Sequence, residues 1–200
     1  SRFLGKICRD MREAQRDNGC VPTIAPQYTS FKPPWDVFND SPEWSSACVL
    51  NPRLVYQRTG DRTIVEENYE SMRRYVAYLA GRADVDGIIA YGLGDWYDIG
   101  PGDPGFSKLT TLGLTATAIY FLDLTIMRQA AELLGRSDDA GRYAAHAEKT
   151  RAAFNRKFID IARRNLATSF DLAKSLAGAK NLTDMVELQT AYWRKQFGAL

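Results

Sequence analysis

A single histidine, His146, stands in 200 residues. Catalysis by a Ser-His or Cys-His pair has little to work with on that count, and a histidine-based metal site less. The three cysteines, Cys8, Cys20 and Cys48, are odd in number and form no C-x-x-C spacing. That speaks against a disulfide framework or a zinc site, so reduced thiols, a cytoplasmic setting and no metal or cofactor are expected. No apolar run approaches the roughly 18 residues of a membrane span, and Arg2, Lys6, Arg9 and Asp10 interrupt any signal-like start. Charge of one sign is also missing. The 26 basic and 24 acidic residues leave a net +2, which gives no stripe for tracking nucleic-acid phosphates.

Apolar residues make up 45% of the chain and aromatic residues 12%, enough for a buried core. Helical spacing runs through Phe3, Ile7, Met11 and Ala14, up to Asn18-Gly19. Five prolines (Pro22, Pro26, Pro33, Pro34, Pro42) then mark a long loop that also carries Tyr28, Phe31, Trp35 and Phe38. A loop so rich in aromatics is expected to be ordered and functional. Ser41-Pro42 reads as a cap with proline at the first helical position, and the helix it opens stops at Gly60. Thr63 to Glu66 has the form of a capping box. The helix after it carries Ile64, Tyr69, Met72, Val76 and Leu79 on one stripe and closes at Gly81.

The stretch GIIAYG, 87–92, reads as a short strand leading into GLGDWYD, 92–98, and a further loop to about residue 106. A helix is predicted over about 110–134, ended by Gly135. Ser137, with Asp138 and Asp139, is expected to cap another, whose stripe is Tyr143, Ala147, Phe154 and Phe158. His146 lies off that stripe and is expected in solvent. Residues 159–200 are helical again, with a break near 178–183. Helix pairs joined by short turns and by long aromatic loops predict an all-α chain of helical hairpins.

Two segments carry candidate site residues. In GLGDWYD the two glycines are a poor dinucleotide signature, because Tyr97 stands where a third glycine belongs and Pro101, Gly102, Pro104 and Gly105 forbid the helix that should follow. What remains is Asp95-Trp96. An indole offers an apolar platform to a sugar face, and a carboxylate accepts hydrogen bonds from vicinal hydroxyls. The other reading is a buried tryptophan anchoring the loop while Asp95 caps a turn. In NDSPEW, 39–44, Asp40, Glu43 and Trp44 meet at a helix start; the acids serve either as caps or as members of a glycoside-cleaving set.

The stretches DNGCVPTIAP, SPEWSSACVLNPRLVYQRTGD, NYESMRRYVAYL, GIIAYGLGDWYD and the long run from LGLTATAIYF to AAFNRKF occur in the order found in bacterial α-L-rhamnosidases of glycoside hydrolase family 78. Residues 1–157 resemble a fragment of that family's (α/α)6 barrel. The resemblance implies inverting hydrolysis of terminal α-L-rhamnose, and L-rhamnose-containing glycosides as ligands. It also implies that the family's general acid and general base lie in segments these 200 residues do not include. The catalytic residues are therefore unknown and no turnover is expected of the fragment. What carries over is a sugar-contacting lining: Trp44, Asp95 and Trp96. Arg53 departs from the family's usual tryptophan, which touches the packing or pocket wall beside helix 42–59. Residues 158–200 resemble a phasin, a helical protein of polyhydroxyalkanoate granules. Phe170, Leu172, Ala173, Leu176 and Ala177, then Val186, Leu188, Tyr192, Trp193 and Phe197, form the apolar face of an amphipathic helical hairpin. The resemblance implies a granule-surface partner or self-association through 159–200. Core packing of this face is the other reading. The seam between the two resemblances falls within 151–165, as in a chimera, and an uncovered half-barrel face predicts oligomers unless the tail folds back over it.

Overall fold

A computed structural model of the chain describes residues 2–98, 103–107, 110–179 and 181–198, the side chains of Arg2, Ile161, Arg164, Asn165, Leu182 and 193–198 apart. Pro101, Gly102 and the side chains of Trp193 and Phe197, all used in the sequence reading, lie outside the described residues. Those described form helices, one 3-10 turn and loops, with no strand among them. The helices are α1 (Arg2–Glu13), α2 (Pro42–Ser45), α3 (Ala47–Thr59), α4 (Thr63–Arg82), α5 (Leu112–Leu133), α6 (Ser137–Ala177) and α7 (Leu182–Gly198). The 3-10 turn, Asp36–Asn39, interrupts the long first loop.

Three hairpins organise the chain: α3 with α4, α5 with α6, and α6 with α7, each joined by a short turn. Gly60 and Gly135 end α3 and α5 in the left-handed conformation, φ 72° and 70°, which a side chain would resist. The core sits where α4 and α5 face each other. Tyr69, Met72, Tyr75, Val76 and Leu79 of α4 meet Tyr120, Leu124, Ile126 and Met127 of α5, with Val49 of α3 and Val21 closing the ends. Buried Ala140 and Ala147 give α6 a smooth contact line against that core.

Several local expectations need correction. The capping of α4 falls to Asp61, whose Oδ1 accepts the Thr63 amide at 3.0 Å; Thr63 is already helical and there is no capping box. Gly81 lies inside α4, which runs one residue further. Ser41 holds the cap position of α2, yet its hydroxyl makes no cap bond and is used elsewhere. Ser46 separates α2 from α3, where one helix was expected. Arg136 precedes α6, so Ser137 is its first residue instead of its cap. Residues 87–92 form no strand, Gly87 and Gly92 both bending at positive φ: Ile89 instead gives its amide to Thr117 Oγ1 at 3.0 Å, and the same hydroxyl donates back to the Ile89 carbonyl at 3.3 Å. A helix side chain does here what a neighbouring strand does in a sheet.

His146 is also corrected. It is half-buried, edge-on to Tyr120 at 5.6 Å between centroids, with Nε2 3.1 Å from the tyrosine hydroxyl. Burial first, and then the Lys149 ammonium, lower its pKa.

α6 is 41 residues long, roughly 60 Å at helical rise, against 22 residues for α5. Its second half therefore outruns the body. Past Ala153 no described side chain is buried. Phe158, expected on the packed stripe, is 56% exposed for this reason. The far half of α6 and α7 form an arm whose two helices touch each other, with Ser169 and Tyr192 hydroxyls 3.0 Å apart. Among the described residues of 159–200 none is packed into the core, and Phe170 stands 73% exposed.

Candidate functional site

Glu43 organises the region around both candidate segments. Leading α2 directly after Pro42, its carboxylate accepts from four groups. Ser41 Oγ donates at 2.5 Å and the Leu93 amide at 3.3 Å to Oε2; the Gly94 amide donates at 3.1 Å and Thr115 Oγ1 at 3.2 Å to Oε1. Leu93 shares its proton with Ser41 Oγ at 3.2 Å. The backbone approaches this closely because residue 92 has no side chain. A β-carbon there, at φ 120°, would run into the Glu43 carboxylate and stand 2.9 Å from Pro42 Cδ. At Gly94, φ 69°, it would stand 2.7 Å from both Leu112 Cδ2 and Ser107 Cβ. The two glycines thus let the Leu93 and Gly94 amides close on the Glu43 carboxylate, an internal acceptor.

Beyond Gly94 the chain turns. The Asp98 amide donates to the Asp95 carbonyl at 3.0 Å, and that of Tyr97 to the Gly105 carbonyl at 2.8 Å. Tyr97 sits at φ 69°, a conformation that tyrosine adopts only when its surroundings hold it there. Asp98 fastens the far side, accepting from the Thr110 amide at 3.3 Å and, more weakly, from Ser107 Oγ at 3.3 Å, whose hydroxyl donates more closely to the Thr110 carbonyl. The loop therefore presents Asp95 to solvent, where its Oδ2 accepts from Thr110 Oγ1 at 3.3 Å.

Trp96 lies half-buried in a row of aromatic rings from both segments. Phe38 links Trp44 (6.4 Å, near-perpendicular) to Trp96 (5.2 Å, near-perpendicular). Phe106 packs edge-on against Trp96 at 5.2 Å and stacks on Trp35 at 5.5 Å. Trp44 is 48% and Trp35 49% exposed, so the row has one dry side and one open side. The three candidate residues Trp44, Asp95 and Trp96 are brought to one region, across 52 positions of sequence. The two readings of Trp96 both hold in part: its ring anchors the loop while its neighbour Asp95 stays in water.

The other two candidate acids are engaged in the scaffold. Asp40 accepts from Tyr78 Oη, and from Tyr91 Oη at 3.4 Å. Burial and that carboxylate push the Tyr78 and Tyr91 hydroxyls well above the ordinary tyrosine range. Glu43 is held by the four donors above. Both acids fix structure, and Asp95 alone of the three is exposed.

Sequence reasoning missed Asp123. It is fully buried on α5, with Ser46 Oγ donating to its Oδ2 at 2.5 Å and no partner for Oδ1. The stripe Tyr120, Asp123, Leu124, Met127 contains it at helical spacing, so its burial was legible. Arg53, the departure noted at the α3 wall, lines a cleft of about 90 Å³ with Val65, Met72, Ile126 and Leu133, away from the aromatic row. Among the described residues no cluster of histidine, cysteine or acidic side chains suits a metal ion. No described helix is long and apolar enough to cross a membrane.

Comparison with known proteins follows the same lines. The profile of the bacterial alpha-L-rhamnosidase 6 hairpin glycosidase domain matches residues 1–196, across the junction expected at 151–165 and through the arm. The alpha-L-rhamnosidase of Formosa agariphila is 27% identical over 186 residues, 90% of this chain and 19% of that protein. That of an Alteromonas species is 28% identical over 161 residues, 79% of this chain and 17% of that protein. The solved alpha-L-rhamnosidase from Dictyoglumus thermophilum superposes with a TM-score of 0.67 at 33% identity, covering 78% of this chain and 16% of the other. The Streptomyces avermitilis enzyme, solved in complex with L-rhamnose, gives 0.63 at 27% identity over 76% of this chain and 13% of the other. The chain thus spans under a fifth of the length of these relatives, and its hairpins are part of an (α/α)6 barrel. It belongs to the bacterial alpha-L-rhamnosidase six-hairpin glycosidase family.

Proposed function

We propose that Trp44, Asp95 and Trp96 form the sugar-facing wall of a site for terminal α-L-rhamnose in an inverting α-L-rhamnosidase, and that these 200 residues bind the sugar without cleaving it. The observation that carries this reading is the convergence of Trp44 and Trp96 on Phe38, with the exposed Asp95 carboxylate beside them. Indole faces suit the C–H side of a deoxy-sugar, and a solvated carboxylate suits its vicinal hydroxyls. Inversion needs an acid and a base about 6.5–9.5 Å apart across the bond. Asp40 and Glu43 are already committed to tyrosines and backbone amides, whereas exposed Asp95 accepts one long bond, from Thr110 Oγ1 at 3.3 Å. Three buried thiols without disulfides suit a reducing, cytoplasmic setting in a bacterium.

The test is an L-rhamnose titration followed by the indole N–H resonances of Trp44 and Trp96. Both should shift saturably, and Asp95→Asn should weaken the effect. Flat resonances at high sugar concentration, or release of rhamnose from an aryl rhamnoside by this chain, would overturn the proposal.

A second reading concerns the arm. Phe158, Ile159, Leu166 and Phe170 on α6, with Met185 and Val186 on α7, are exposed together on a projecting hairpin. This supports self-association through 159–200. The body and arm division near 157/158 belongs to the same reading, supported by the end of burial at Ala153. Granule coating is not favoured, since the rhamnosidase profile runs through the arm. Sedimentation of the full chain against a Phe170→Ser, Val186→Ser variant tests it: a concentration-dependent wild type and a monomeric variant are expected, and identical behaviour refutes it.

A further inference from the structure

We infer that Glu43 is a positioning residue that latches the Asp95–Trp96 loop in its sugar-facing form. This rests on the rhamnose reading above for its purpose, though its geometry stands independently. Four features carry the inference. The carboxylate gathers donors from three separate places: Ser41 beside it, the Leu93 and Gly94 amides of the loop, and Thr115 of α5. Residue 92 is a glycine at φ 120° whose missing β-carbon leaves the room Glu43 fills. The two amides it holds immediately precede Asp95 and Trp96. Past them the loop contains Tyr97 at φ 69°, a conformation that relaxes unless both flanks are fixed. Asp98 fixes the far flank through Ser107 and Thr110, and Glu43 fixes the near one.

An acceptor-only group is what this position demands. Four donors point at two oxygens, the Thr115 hydroxyl dividing its proton between Glu43 and the Leu112 carbonyl, each at 3.2 Å, and a carboxylate can take them all. Glutamine has the same shape but replaces one oxygen with an NH2, which turns donors against Leu93 and Ser41 or against Gly94 and Thr115, depending on its orientation. The charge at α2's start is therefore spent inside the fold, and Glu43 touches neither substrate nor solvent-side chemistry in this role.

The experiment compares wild type, Glu43→Gln and Thr115→Val by amide exchange without ligand and by L-rhamnose titration. In Glu43→Gln the Leu93 and Gly94 amides should exchange about tenfold faster or more, the scale of losing charge-assisted hydrogen bonds. The Trp96 indole resonance should move, while core amides such as Tyr75 and Leu79 keep their protection. Thr115→Val, which removes one donor and leaves the charge, should produce a smaller change of the same kind and decides the matter if Glu43→Gln unfolds. Rhamnose affinity should fall in both variants without loss of melting temperature in Thr115→Val. Unchanged exchange at Leu93 and Gly94, or undiminished rhamnose affinity despite a loosened loop, overturns the latch. Absence of rhamnose binding by wild type, with the exchange result intact, sinks the sugar reading and leaves the latch standing as a structural device.

Discussion

Replacing Asp123 with asparagine should make the protein more stable at neutral and alkaline pH, against the usual expectation for a core substitution. Asp123 has no exposed surface. Its single bond is the one from Ser46 Oγ at 2.5 Å, its Oδ1 has no partner, and the Tyr75 hydroxyl is 3.5 Å from the Ser46 oxygen. Burial raises its pKa well above the ordinary carboxyl value, and the Ser46 bond offsets only part of that. The folded state therefore holds a proton that the unfolded chain releases above about pH 4. The contribution to stability is intact below that point and declines as pH rises toward the folded pKa. Linkage sets the slope: one extra proton in the folded state costs about tenfold in the folding equilibrium per pH unit. Asparagine is neutral throughout and keeps an acceptor for Ser46, so its slope from this site is zero. Other carboxylates with depressed pKa, such as Asp139 beside Tyr69 and Arg142, exert their effect at the acid end of this range, in both proteins alike, and cancel in the difference. Urea melts of wild type and Asp123→Asn from pH 4 to pH 8 give that difference directly. The two should nearly coincide at pH 4, and the variant should gain above it until the pH passes the raised pKa of the folded state. Parallel curves across the range would show that Asp123 is ionised or solvated in the fold.

Gly92→Ala should destabilise by about 1–3 kcal/mol, through the left-handed backbone and through collision with Glu43; an unchanged urea midpoint would deny the close approach. The His146 ring should titrate below the ordinary histidine range in NMR. Lys149→Gln should raise its midpoint only part of the way, because burial is the larger cause; a full return would reverse that order. Cys8, whose thiol burial pushes up to about 11, and fully buried Cys48 should react with a thiol reagent at pH 8 only as fast as the fold opens. Fast labelling of the native protein would contradict their placement.

What the sequence disclosed followed from local repetition. The stripe of α4, the stops at Gly60 and Gly135 and the break between α6 and α7 depend on residues within a turn or two of each other, and periodicity reads such relations well. The grouping of Trp44 with Trp96 came from family resemblance, since two rings 52 positions apart that meet only through Phe38 leave no trace in spacing. The errors share one cause. Residues 87–92 resembled a strand because a short apolar run bounded by glycines reads as one, while its actual partner is the hydroxyl of Thr117 on a helix. His146 was placed in solvent because the α6 stripe was drawn through Phe154 and Phe158. α5 ends before it reaches Phe158, and Tyr120 covers the neighbouring face instead. Stripe membership shows which face a residue is on; only the length of the neighbouring helix shows where that face stops being covered.

The four acids of this region also separate by what surrounds them. Asp40 lies between two tyrosine hydroxyls, Glu43 among four donors, and Asp123 inside the α4–α5 core with one. Each is committed by its partners before any ligand arrives. Asp95 differs because the loop that carries it is fastened at both flanks yet open at the tip: its carboxylate is exposed and takes a single long bond, from Thr110 Oγ1 at 3.3 Å. On the proposed reading that is the useful combination for a sugar wall, since a carboxylate ringed by scaffold donors has little left to offer a hydroxyl. It also follows that the proton chemistry of an inverting hydrolase has to be supplied by groups other than Asp40 and Glu43. Converting either to its amide should therefore change loop order and affinity together, and should leave no pH-dependent rate to lose.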